Sequence, residues 1–527
     1  MSAELDALAL RRHARRLLAG WDRPGSPGAA LGLVRDGALA LHESAGFASI
    51  ELGVPIEPET CFRVASVSKQ FTCAAILLLA AEGRLSVADA IHDHLPELPD
   101  FGARISIDQL MHNVSGMRDM LELMRLGGAD LSQPWKTEDL LEAIGRQRSL
   151  NFAPGTRFRY SNSGFLLLGR IVEVVSGESL GDFLARRIFT PLGMTRTRHT
   201  PSVTEIVPGL ATGYLPQGEG FVRALHGFPL GGEGGLVSCV EDLALWDRNF
   251  DAGLVPGIAE ALVEPLAFAN GRPNTYARGL EVTTYRGLRT VDHGGLWPGF
   301  KTCFLRVPER GMTVIAIANH GGIDTHALAH RLLDAALEGT PGFHPVPPMP
   351  ALSGLFGRWV EPESGATVEF APGPVATQHG VPFPLAPSED GRLVARRGVF
   401  PFAASLPEGD SLILETDAGT RTRFRRAPET ASLPEGLEGT WHCEELGAAW
   451  TFAPDGDEMA VRVRGPLTVA GPWPLVPIAG DAFRIRTPGT LFQGWLDAKA
   501  ERDAEGGIAA LLVNGARASR LRFTREH

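Results

Sequence analysis

A serine and a lysine three residues apart, in Phe62-Arg63-Val64-Ala65-Ser66-Val67-Ser68-Lys69, form the pair in this chain best suited to chemistry. Lysine is scarce: Lys69, Lys136, Lys301 and Lys499 are the only four, and arginine fills nearly every other cationic position. The pair is therefore no by-product of a lysine-rich surface. An extended apolar run ends at Ser66, and Phe71, Ala74, Ala75, Leu78 and Leu79 recur at helical spacing before Gly83. This pattern places Ser66 at a helix N-terminus, where the macrodipole favours developing negative charge. Residues three apart share a helix face, so the Lys69 amine would lie beside the Ser66 hydroxyl. A desolvated, neutral Lys69 would accept the serine proton and turn Ser66 into a nucleophile. The plainer alternative is a capping serine and a solvated lysine.

Such a pair needs a proton relay and an oxyanion site. Tyr160-Ser161-Asn162 lies between Phe152-Ala153-Pro154-Gly155 and a helical run from Phe165 to Val175, so it sits on a loop entering a helix. The Tyr160 phenol would pass the proton to the leaving group, and the Asn162 amide would hold Lys69 or a substrate carbonyl. His293-Gly294-Gly295-Leu296 precedes the strand-like run Lys301 to Val307 and reads as the end of an edge strand, where glycine lets a substrate backbone approach. A second triplet, His320-Gly321-Gly322, follows the last strand and reads as a turn. Asp292 beside His293 does not make a triad, because adjacent strand residues point to opposite faces. His92-Asp93-His94 has no third ligand nearby in sequence, so no metal site and no cofactor are expected.

These groups have to be positioned by a chain of 527 residues, long enough for two or three domains. Residues 1–338 alternate helical segments with strand-like runs such as Ala30-Leu31-Gly32-Leu33-Val34 and Met312 to Ala318, an α/β pattern. Residues 339–350 are Pro-rich and read as a stiff linker. Beyond them, short alternating runs broken by Gly, Pro and Asp predict small antiparallel barrels at 351–427 and 428–527. The two modules look alike: Gly357-Arg358-Trp359 and Gly439-Thr440-Trp441 open them, and Arg421 to Arg426 and Arg520 to Arg525 close them. The second is longer, and an inserted loop near 486–503 is the expected cause. Net charge of -11 argues against nucleic acid or an anionic membrane as partner. An N-terminus without an apolar leader and five cysteines without framework spacing point to a reducing, cytoplasmic setting.

In their order, Ser66-x-x-Lys69, Tyr160-Ser161-Asn162 and His293-Gly294-Gly295 resemble the three motifs of the penicillin-recognising serine hydrolases, the family of class C β-lactamases, D,D-peptidases, esterases and D-aminopeptidases. The stretch Ser66 to Ala74, the His-Gly-Gly slot and two C-terminal barrels are most similar to the bacterial D-aminopeptidases. The resemblance implies a β-lactamase/transpeptidase-like fold, an antiparallel sheet flanked by helices. It implies Ser66 as nucleophile, Lys69 as base, Tyr160 as relay, Asn162 as positioner, and His293 in the slot usually written K-T-G. The Ser66 and Leu296 amides, with Gly295 beside them, would form the oxyanion hole. A mostly neutral His293 in place of lysine makes anion binding weak. Glu233, in Gly231-Gly232-Glu233-Gly234-Gly235, would pair with a substrate ammonium. The likeness to D-aminopeptidases implies a barrel loop reaching into the cleft, but the stretch here has no acid between Arg486 and Trp495. The expected function is hydrolysis of peptides, amides or esters with release of N-terminal D-residues. The alternatives are an esterase or β-lactamase-like hydrolase and a catalytically silent peptide- or muropeptide-binding protein. The expected partner is a small peptide or amino-acid amide, with a homodimer left open.

Overall fold

The computed structural model describes residues 2–253, 255–352, 354–388, 390–395, 401–466, 468–487 and 494–525. Six antiparallel strands form the first sheet: β1 (Ala29–Arg35), β2 (Ala38–Ala45), β3 (Glu281–Tyr285), β4 (Leu288–Trp297), β5 (Phe300–Val307) and β6 (Met312–Ala318). Their order is β3-β4-β5-β6-β1-β2, so the N-terminal hairpin docks on the last strand of the domain. Every residue of β6 is buried, because both faces of the sheet are covered. Period two assigns the faces: Val314 and Ala316 join one core, while Ile315 and Ile317 join the other.

The helices that matter are α1 (Ser2–Leu18), α2 (Lys69–Ala81), α3 (Met120–Leu126), α4 (Asn162–Ser176), α5 (Val240–Ala252) and α6 (Thr325–Leu337). α1 and α6 cover one face of the sheet through Leu10, Ala14, Leu18, Leu328 and Leu332. α2 lies within the larger core on the other face, and its residues from Lys69 to Leu79 are all buried. That explains its composition: from Cys73 to Ala81 it is apolar all round, and such a stretch has no solvent side. Phe71 stacks against Trp246 of α5 with ring centroids 4.4 Å apart, and the Trp246 indole donates to Gln70 at 2.6 Å. These contacts fix the helix whose first residue is Lys69.

β4 is interior to the sheet for only half its length. β3 pairs with Leu288 through Asp292 and stops, leaving His293 to Trp297 without a strand on that side among the described residues. The edge expected at the His-Gly-Gly triplet is therefore a local one, made by a short neighbour. His320, Gly321 and Gly322 follow β6 in a turn.

Beyond the linker, nine antiparallel strands curl into a nearly closed barrel, and a second, closed eight-stranded barrel follows. The catalytic-type domain and two β-barrels expected from the sequence are all present. The internal likeness has a physical basis. Trp359 and Trp441 are each fully buried and donate to the carbonyls of Leu355 and Leu437, at 2.8 and 3.0 Å. Each ring is covered by an arginine from the closing strand, Arg426 at 4.4 Å and Arg525 at 4.7 Å. The second module is longer partly because its strands are: Val469–Ala479 has 11 residues, whereas no strand of the first module exceeds 6 among the described residues. Residues 494–502 are strand, which corrects the loop expected across 486–503. Residues 488–493, the rest of that loop, lie outside the described residues.

The second barrel is welded to the first domain. Gly465 approaches the backbone so closely that a Cβ there would lie 1.7 Å from the Gly127 carbonyl, just past α3. Trp450 of the barrel donates to the Leu126 carbonyl at 3.2 Å, and the apolar core runs continuously from α2 and α4 into the barrel interior.

Candidate active site

Ser66 lies in a short 3-10 turn, Ala65–Ser68, that leads directly into α2. Ala65 holds φ at +50°, a left-handed conformation costing about 1 to 3 kcal/mol in a non-glycine residue, just before Ser66. Lys69, the first residue of α2, has no exposed surface. Its Nζ lies 3.0 Å from Ser66 Oγ and donates to Asn162 Oδ1 at 2.8 Å and to the Glu233 carbonyl at 2.6 Å. Two fixed acceptors use both hydrogens of a neutral amine, leaving its lone pair for the Ser66 hydroxyl. Burial drives the Lys69 pKa down to about 7, with the Arg517 guanidinium adding to the effect and Glu233 opposing it.

Asn162 is in place because α4 is capped from a distance. Asn162 N donates to Asp119 Oδ2 at 2.8 Å, and Ser161 N donates to Asn113 Oδ1 at 3.0 Å. Asp119 itself caps α3 through Leu121 N and Glu122 N. Tyr160 is thereby held over the site: its ring centroid lies 4.9 Å from Lys69 Nζ, and its hydroxyl is on the Ser66 side. Burial pushes the Tyr160 pKa up, so the phenol keeps its proton at neutral pH.

Opposite lies the free half of β4. A Cβ on Gly295 would sit 2.2 Å from the Val64 carbonyl, so only glycine lets this strand pass the Ser66 turn so closely. Leu296 stands at the rim, 61% exposed. His293 is buried, with Nδ1 donating to the Gly294 carbonyl at 2.6 Å and Nε2 accepting from the Tyr276 hydroxyl at 2.9 Å. Burial and the nearby Lys69 charge take its pKa to about 3. A neutral imidazole with both nitrogens committed stands where a cationic lysine was the alternative.

The Beta-lactamase family model matches residues 10–338, the span that carries Ser66, Lys69, Tyr160, Asn162, Glu233 and His293. The chain belongs to the β-lactamase family. It is a serine hydrolase of that family, and it is similar to D-aminopeptidases. That of Cereibacter sphaeroides is 31% identical over 93% of this chain and 94% of its own length. That of Gluconobacter oxydans is 30% identical over 81% of each. Among solved structures, the D-amino acid amidase of Ochrobactrum anthropi SV3 covers 62% of this chain and 98% of its own, with a TM-score of 0.53 at 23% identity. The octameric penicillin-binding protein homologue of Pyrococcus abyssi covers 98% and 99%, with a TM-score of 0.55 at 19% identity. These two share the fold.

In this β-lactamase-family hydrolase Glu233 is placed differently from the cleft-facing acid expected. Its residue is 4% exposed, Oε1 accepts from Gly231 N at 2.9 Å, and Oε2 is buried without a hydrogen-bond partner among the described residues. Burial raises its pKa. The cause is the glycine run: a Cβ on Gly232 would lie 2.6 Å from the Phe165 carbonyl, so the loop dives between α2 and α4 and carries Glu233 beneath Lys69. Three groups at the site escaped sequence inspection. Tyr276, one of only four tyrosines, supports His293, and its rarity was the available signal. Asp119 and Arg517 carry none, being ordinary members of abundant residue types brought in by tertiary contacts. His92 and His94 bond the Pro99 carbonyl and Asp89 respectively.

Proposed function

We propose that this serine hydrolase releases N-terminal D-residues from small peptides, amides or esters through an acyl-enzyme on Ser66. The observation that carries the proposal is the buried, neutral His293: the slot holds no cation for an acyl-side carboxylate, which favours substrates whose acylating residue ends in an amine. The D-aminopeptidase relatives support the same choice. The alternative of a silent binding protein is disfavoured by the Ser66, Lys69 and Tyr160 network, which is already arranged for proton transfer.

In the reaction, Ser66 Oγ attacks the scissile carbonyl carbon while its proton moves to the Lys69 lone pair. The oxyanion takes amide donors from the nucleophile turn and the Gly295-Leu296 stretch. Tyr160, neutral and beside Ser66, hands a proton to the departing nitrogen and is resupplied from Lys69. The C–N bond breaks, and the amine leaves from a Ser66 ester. Water then attacks that ester and gives a proton to Lys69, which passes it to Ser66 Oγ as the acyl–oxygen bond breaks; the acid product leaves as its carboxylate, its proton going to solvent. We also propose a reducing, cytoplasmic location, supported by five cysteines that are all buried.

The test compares p-nitroaniline release from D-Ala and L-Ala p-nitroanilides, beside a chromogenic ester and with Ser66→Ala as control. Ser66-dependent turnover of the D-anilide with little of the L-anilide is expected. Turnover of the ester alone would move the function to an esterase.

A further inference from the structure

The second barrel delivers a guanidinium to the catalytic tyrosine. The turn between its last two strands, Ile508–Asn514 and Leu521–Arg525, is bound along its backbone to the first domain. Ala516 N and Arg517 N donate to the Glu122 carboxylate, the former at 3.0 Å. Asn151 Nδ2 and Asp119 N donate to the Arg517 carbonyl at 3.1 and 3.3 Å, and Arg118 Nε donates to the Ser519 carbonyl at 3.0 Å. Arg118 itself is buried and paired with Glu445 of the same barrel at 3.0 Å. So firmly held, the turn projects Arg517 Cζ to 5.0 Å from the Tyr160 ring centroid.

The Arg517 side chain is 21% exposed, and among the described residues its only other partner is Asp119, 3.5 Å away. Asp119 does not depend on it, since its two oxygens already receive the amides of Leu121, Glu122 and Asn162. Most of the five guanidinium donors are therefore uncommitted beside the reacting groups. Tyr160 is the residue that protonates the leaving nitrogen, so a cation against its ring lies on the leaving-group side. In a leaving amino acid, nitrogen and carboxylate are separated by one carbon, about 3 Å. A planar fork matches a carboxylate bidentately.

We propose that Arg517 binds the free carboxylate of the leaving residue, making short free-acid peptides, dipeptides above all, the preferred substrates of this site. The assignment rests on the aminopeptidase function proposed above and adds the other half of the substrate: an amine at one end, a carboxylate one residue beyond the scissile bond. It differs from a role in which Arg517 only holds Lys69 neutral, because that role would act on all substrates alike.

The experiment follows D-alanine release from D-Ala-Gly and from D-Ala-Gly amide by the full-length native protein, Arg517→Gln and Arg517→Lys. The native ratio of kcat/KM, free acid over amide, is expected to be about tenfold or more, carried mainly by KM. It should fall to near one in Arg517→Gln and recover in part in Arg517→Lys. A native ratio near one, or a ratio unchanged by Arg517→Gln, would overturn the carboxylate assignment while leaving the aminopeptidase intact. No release from either peptide would overturn both.

Discussion

Hydrogen-bond counting at Lys69 decides what this residue can do. An ammonium would present a third hydrogen to Ser66 Oγ and hold the hydroxyl as an acceptor; a neutral amine presents its lone pair there instead. With the pKa lowered to about 7, mainly by burial, the productive form grows as pH rises through that value. The kcat/KM profile should therefore show an acid limb centred near pH 7, and Lys69→Ala should cost about 10²- to 10⁴-fold. Glu233 opposes the shift, so Glu233→Gln should move the limb to lower pH; an unmoved limb would show that Glu233 carries no charge there. Tyr160→Phe, which keeps the ring but removes the proton, should cut kcat on anilides more than on esters, whose leaving groups need less protonation, as steady-state kinetics would show. The sequence disclosed Ser66, Lys69, Tyr160 and Asn162 because each belongs to a short pattern with its own local geometry. Glu233 was found but misplaced, because flanking glycines mark a close approach without saying which side the chain passes.

Among the elements, the free half of β4 and the turn at Ala65 depend on each other. Gly295 is the contact point, and Gly295→Val would drive side-chain atoms into the Val64 carbonyl, a backbone group that cannot swing away. The expected outcome is loss of phosphonate labelling together with a Tm several degrees lower by thermal melt; native labelling with native Tm would show that the strand need not pass there. The apolar run that became α2 was legible, since nine successive apolar residues, Cys73 to Ala81, have one place to go. The partial edge of β4 was less so. It exists because β3 ends at the residue facing Asp292, and a strand's length relative to its neighbour is not written in either strand alone.

On the scale of the whole molecule, the closed barrel borders the site, with Arg517 Cζ 5.0 Å from the Tyr160 ring centroid. Glu122 on α3 is 7% exposed and receives two amides of the 515–520 turn, so Glu122→Ala should release that turn, lower kcat/KM at least tenfold and speed proteolysis there, which limited digestion and mass spectrometry would locate. The repeated tryptophans and arginines revealed two related barrels in the sequence. Which barrel would dock, and through which turn, was hidden, because Arg118, Asp119 and Glu122 meet residues about 400 positions later in the chain. The central claim is that this assembly acylates Ser66 with neutral Lys69 as base. Labelling the intact protein with a fluorescent phosphonate across pH, and mapping the adduct by peptide mass spectrometry, tests it most directly. A single adduct on Ser66, forming at a rate that rises with a midpoint near pH 7 and lost in Lys69→Ala, is the predicted result; no adduct on folded protein, or one on another residue, would contradict it.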